Sequence, residues 1–146
     1  MKPTSIMIHH TAVSLAKNPD QATATDAYHR KKWNVRGSLG YYAGYHFEIA
    51  GNGQVLRFRQ DGEKAVACYQ KGMNDGRCLH ICLDGDFDHE TPAPEQIYAL
   101  RDLLRTLCTT YRIPPKNIYF HRDYAKKSCP GANIDRDFVR SLIHEK

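Results

Sequence analysis

Two histidines, His9 and His121, and a cysteine downstream of the second, Cys129, are the residues of this chain best suited to metal chemistry. Imidazole and thiolate are zinc donors, and a catalytic zinc typically takes three protein ligands and leaves its fourth position to water, whereas a structural zinc is closed by four. Two histidines and one cysteine suit the open kind. Their spacing reproduces none of the short zinc-finger patterns, and on spacing alone the plainer reading is favoured: a strand-end histidine, a surface histidine and a buried thiol with no common task. A second candidate set, Cys78, His80 and Cys82, fails on geometry. At about 3.3 Å per strand residue its two sulfurs lie about 13 Å apart, too far to share one ion through bonds of about 2.3 Å. Cys68 and Cys108 have no ligand-rich neighbours and read as small core hydrophobes.

Strands and helices must bring these residues together. Ser5 to His10 reads as a strand with Ile6 and Ile8 on one face and Met7 and His9 on the other, ending at the histidine pair. Residues from about Asp20 to Trp33 predict a helix, with Asp20 as its N-cap. Gly44 to Ala50 and Gln54 to Phe58 flank Gly51-Asn52-Gly53 and predict a hairpin. Cys78 to Leu83 is almost continuously apolar, as an interior strand would be. After Thr91-Pro92-Ala93-Pro94-Glu95, the residues Ile97, Leu100, Leu104, Leu107 and Tyr111 recur at helical spacing, and Pro114-Pro115 ends that helix. Asn117 to His121 reads as a last short strand, and Phe138, Val139, Leu142 and Ile143 as a closing helix. Intermixed strands and helices define an α/β class, a mixed sheet covered by helices. With 146 residues and no repeat, linker or change of composition, residues 1–146 are expected to form a single domain.

Composition narrows the class of function. Hydrophobic residues are 41% and charged residues 25% of the chain, which excludes a disordered tail, a fibrous repeat and a disulfide-dense miniprotein. The formal net charge of +5 favours an anionic partner such as nucleic acid, an acidic membrane or a bacterial wall. No apolar run approaches the roughly 20 residues of a membrane helix, so no stable membrane insertion is expected. The first ten residues lack the apolar stretch of a secretion signal, so synthesis in the cytosol is expected. In that reducing compartment the five cysteines should be thiols.

The order Ile6-Met7-Ile8-His9-His10-Thr11, Gly44-Tyr45-His46-Phe47, then His121 with Lys127 and Cys129, resembles the zinc-dependent N-acetylmuramoyl-L-alanine amidases of the type-2 class. Within that family, which includes peptidoglycan recognition proteins, the likeness is greatest to bacteriophage lysozymes of amidase type. The resemblance implies that His9, His121 and Cys129 bind Zn2+, that Tyr45 lies beside the metal and that Lys127 faces the substrate carbonyl. It also implies hydrolysis of the amide between N-acetylmuramic acid and L-alanine in peptidoglycan, by an endolysin-like enzyme that reaches the cell wall after release; separately, one domain with no heptad and no evident apolar surface stripe points to a monomer. Tyr28-His29 and Trp33 resemble an aromatic segment beside the cleft of the phage enzymes. Two positions depart from the family: Ala67-Cys68-Tyr69-Gln70 stands where an auxiliary histidine is frequent, and Cys78-Leu79-His80 puts a bulky side chain where glycine is usual. His10 should point away from the metal, and His46, His80, His89 and His144 have no evident partner and read as structural or exposed.

Other functions compatible with the resemblance are a non-catalytic peptidoglycan-binding module and a phage regulator that binds a host protein. Direct nucleic-acid binding is disfavoured, because the basic residues are scattered among acidic ones without a recognition motif.

Overall fold

The computed structural model describes residues 1–144. Its centre is a five-stranded mixed sheet in the order β3-β2-β4-β1-β5. The strands are β1 (Ser5–His10), β2 (Phe47–Ile49), β3 (Val55–Arg57), β4 (Cys78–Leu83) and β5 (Ile118–Phe120). β1 runs parallel to β4 and β5, β4 runs parallel to β2, and only the β2–β3 hairpin is antiparallel. The helices are α1 (Ala22–Lys32), α2 (Pro94–Tyr111) and α3 (Arg136–Ser141). The α/β reading of the sequence therefore holds, with the two hairpin arms and the last strand each trimmed to three residues.

The two faces of the sheet differ chemically. Ile6, Ile8, Phe47, Ile49, Leu79, Ile81, Leu83, Ile118 and Phe120 form the main core with Leu100, Leu104 and Leu107 of α2 and Val139 of α3. Burial of this apolar stripe, at about 25 cal/mol per Å², is what seats α2 on the sheet. Gln96 fixes the seating: its Nε2 donates to the carbonyls of Ile49 and Asp84, and its Oε1 accepts from Ala93 N–H at the helix start. The opposite face carries Met7, His9, His80 and Cys82, because alternate residues of neighbouring parallel strands share a face. All six residues of β1 and of β4 are buried, so this polar face is interior too.

The start of α1 differs from the sequence reading. Its N-cap is Gln21, without a side-chain cap, and the Gln21 N–H is taken by Asp84 Oδ2 at 2.7 Å. Asp84, just past β4, thus ties the residue before α1 to the sheet, and the first-turn cap expected of Asp20 is not made. Asp84 belongs to a buried acidic pair: Glu48 Oε2 accepts from Thr25 Oγ1 at 3.1 Å, and Glu48 Oε1 and Asp84 Oδ1 have no donor other than each other's carboxyl. Two carboxylates cannot both ionise in so dry a place, and burial together with its neighbour pushes the Glu48 pKa up. All five cysteines are free and buried. Among the described residues no helix is long and apolar enough to cross a membrane.

The acid pair gives a pH-dependent prediction. A carboxyl whose folded pKa lies above its unfolded value stabilises fully below the unfolded value, and that contribution is lost as pH rises. Glu48→Gln removes the proton requirement while keeping a donor for Asp84. Relative to the parent, the variant should gain stability from pH 5 to pH 8, by at most about 1.4 kcal/mol per unit. Denaturant midpoints that move in parallel for both proteins across this range would contradict the shared proton.

Candidate metal centre and cleft

Parallel pairing puts the donors side by side. Ile8 is in register with Phe120, so His9, at the next position of β1, emerges beside His121, the first residue after β5. The return of the chain through Lys127 and Ser128 brings Cys129 against the end of β1, where His10 N–H donates to Cys129 Sγ at 3.4 Å. His9 Nδ1 lies 3.2 Å from His121 Nδ1 and 3.9 Å from Cys129 Sγ. All three ligand atoms lie within 4.8 Å of one another, and this is the single such cluster of three or more His, Cys, Asp or Glu among the described residues. Cys78, His80 and Cys82, excluded on strand geometry, form no such cluster in the uninterrupted strand β4.

The donor set fits zinc. Nitrogens about 2.0 to 2.1 Å from a tetrahedral ion lie about 3.3 Å apart, and a nitrogen and a sulfur lie about 3.6 Å apart, close to the 3.2 and 3.9 Å that separate His9 Nδ1 from the other two donors. Burial lowers the pKa of His9 well below its usual value, with the nearby His80, His121 and Lys127 adding to the effect. Burial, assisted by Lys127, brings His121 down to about 4. Both imidazoles are thus neutral, as a ligand must be. Burial raises the Cys129 thiol to about 11, against the pull of the His10 N–H and of Lys127, and a divalent cation is the kind of charge that holds such a sulfur as thiolate.

A cleft of about 320 Å³ opens over these residues, and His121, Cys129, Tyr45 and Lys127 line it. His9 lies beneath, 1% exposed. The Tyr45 ring is 4.9 Å from that of His9, and burial, with Cys82, Cys129 and Glu48 nearby, raises its pKa well above the usual phenol value. Tyr45 is therefore a hydrogen-bond donor and not a phenolate. Lys127 is exposed at the rim, close enough for its charge to depress both histidines. The aromatic segment of α1 forms one wall: His29 packs edge-on to Trp33 at 4.7 Å and against Tyr45 at 5.2 Å, and its Nδ1 accepts Gly44 N–H at 2.7 Å. In the stretch that departs from the family, Cys68 is 5% exposed, whereas Tyr69 is 83% exposed on the cleft rim.

As read from strand alternation, the His10 ring turns away, accepting Phe87 N–H at 3.1 Å and lying over the Phe87 ring. His89 is exposed and paired with Asp86. His46 and His80 are fully buried and hydrogen-bonded, and His80 Nδ1 meets His9 Nε2 at 2.8 Å. Neither contact has a signal in the sequence beyond the odd presence of a histidine inside an apolar strand.

An α/β sheet with two strand-end histidines and a cysteine at the foot of a cleft defines a candidate metallohydrolase. The chain belongs to the N-acetylmuramoyl-L-alanine amidase family, whose sequence profile matches residues 1–132. It is 36% identical over 98 residues to an endolysin of Enterobacteria phage K11, a match covering 64% of this chain and 62% of that protein. It is 30% identical over 134 residues to peptidoglycan-recognition protein SC2 of Drosophila simulans, covering 88% and 68% of the two chains. The N-acetylmuramoyl-L-alanine amidase LysC from Clostridium intestinale URNW has the same fold, with a TM-score of 0.78, 26% identity and coverage of 97% and 85%.

Removing one donor should open the metal set. Changes one layer further out cost metal sites about 10- to 100-fold, so Cys129→Ser should lower zinc affinity by more than about 100-fold. Chelator competition on the metal-free protein measures this, and equal affinity in parent and variant would exclude Cys129 as a ligand.

Proposed function

We propose that the protein is a zinc-dependent N-acetylmuramoyl-L-alanine amidase that degrades bacterial cell wall in the manner of an endolysin. The observation that carries this reading is the convergence of His9, His121 and Cys129 on one point under a cleft. Family membership supports the reaction class, and the likeness to a phage endolysin supports the cell wall as the place of action. A cationic protein is drawn to an anionic wall, and its charge of +5 suits that encounter.

A bound zinc ion would supply Lewis acidity toward the amide and lower the pKa of a bound water to about 7. The chain's own residues do the rest. His9, His121 and Cys129 would hold the ion at the foot of the cleft. The Lys127 ammonium at the rim stabilises the negative charge that develops on the carbonyl oxygen during attack, an interaction strongest in the transition state. Tyr45, held protonated by burial, donates a hydrogen bond to the attacking water or passes a proton toward the departing L-alanine nitrogen. The aromatic wall of His29 and Trp33 gives the muramyl peptide an apolar surface.

Purified peptidoglycan incubated with the zinc-loaded protein should release stem peptides with a free L-alanine amine, identified by mass spectrometry. Lys127→Met and Tyr45→Phe should each reduce kcat by about 100- to 1,000-fold with zinc content unchanged. Undiminished cleavage in both variants would overturn the mechanism, and wall binding without cleavage by the parent would make the protein a non-catalytic peptidoglycan-binding module.

A further inference from the structure

His9 presents Nδ1 to the donor cluster and Nε2 to His80, and the second contact decides what the first can do. His80 Nε2 lies 2.6 Å from the carbonyl oxygen of Met73, and its Nδ1 lies 2.8 Å from His9 Nε2. A carbonyl only accepts, so His80 must carry its proton on Nε2, and the Nδ1 of that neutral ring is then an acceptor. His9 Nε2 must in turn be the donor, which leaves a lone pair on His9 Nδ1, the atom facing His121 and Cys129. Of the neutral tautomer combinations open to the two rings, this alone satisfies both contacts. Every other sets two lone pairs or two hydrogens against each other where both rings are at most 1% exposed.

His80 is itself held. His46 Nε2 donates to the carbonyl of Glu63 at 2.8 Å, so His46 Nδ1 accepts, and it takes the His80 backbone N–H at 3.0 Å. The His80 carbonyl accepts from His46 N–H at 2.9 Å, and the two rings lie nearly parallel, 12° apart. The connection between β3 and β4, which supplies the Glu63 and Met73 carbonyls, is thereby tied to the metal cluster through two histidines.

We infer that His80 is a positioning residue: by accepting the Nε2 proton of His9 and donating to Met73, it locks His9 in the tautomer and ring orientation that offer Nδ1 to a metal ion. The inference rests on His9 being a zinc ligand, as proposed above. A ligating histidine ordinarily gives its second N–H to a carboxylate, a carbonyl or water. Here another imidazole takes it and relays the order to a backbone carbonyl.

The test uses the full chain, metal-free, and two substitutions. In the parent, long-range proton–nitrogen correlation spectra should show His9 protonated on Nε2 alone. His80→Leu fills the space but cannot accept, and should weaken zinc binding about 10- to 100-fold and release His9 into a mixture of tautomers. His80→Asn places Oδ1 at the same bond separation from Cα as the histidine Nδ1, and should bring zinc affinity back to within a few-fold of the parent, a rescue that packing alone does not explain. A parent His9 protonated on Nδ1 would overturn the inference, as would a folded His80→Leu with parental zinc affinity, or a folded His80→Asn no better than leucine. If His80→Leu fails to fold, the parent tautomer still decides. Because that reading is made without metal, a parent that binds no zinc would count against the proposed hydrolase and not against the His9–His80 bond.

Discussion

The structure depends on parallel registration at the middle of the sheet. β1 is hydrogen-bonded to β4 on one side and β5 on the other, and this pairing brings His9 and His121, more than a hundred residues apart in sequence, to within 3.2 Å through ring nitrogens. Parallel strands require long connections, and here those connections are used: one carries α1 and the aromatic wall, another carries α2 and its apolar stripe. A sheet buried on both faces is rigid, which suits a donor set whose atoms must meet to within a few tenths of an ångström.

The two faces divide the work. The α2 face is apolar, and its close packing fixes the strands. The other face accepts a run of buried polar groups: His9, His46 and His80 are hydrogen-bonded to one another or to backbone, and Glu48 and Asp84 lie together. Such networks are costly where unsatisfied, and His121 Nε2 is one buried nitrogen without a partner. The dryness that makes these groups expensive also keeps the imidazoles neutral and the Tyr45 phenol protonated, the states in which they can bind a cation and donate a hydrogen bond.

Much of this was legible in the chain. The helical recurrence from Ile97 to Tyr111, the glycine turn at 51–53 and the apolar run at 78–83 each mark an element that the structure contains. The residues His9, Tyr45, His121, Lys127 and Cys129 could be singled out through their order in a family pattern, though spacing alone favoured an accident. What stayed hidden was long-range. Asp84, and not the adjacent Asp20, meets the N–H of Gln21 just before α1, because a strand end fixed by the sheet is brought against it. Glu48, in an alternating segment where a carboxylate suggests solvent, is interior beside Asp84, and burial with that neighbour pushes its pKa up. His80 read as structural or exposed, since nothing local shows that its ring meets that of His9 across two strands.

The central claim is one ion held by two imidazole nitrogens and one sulfur. X-ray absorption at the zinc edge of the zinc-loaded protein measures this directly. A first coordination sphere with one sulfur at about 2.3 Å and nitrogen or oxygen donors at about 2.0 to 2.1 Å, completing four, is the predicted result. A sphere of nitrogen and oxygen alone, or one with more than one sulfur, would contradict it.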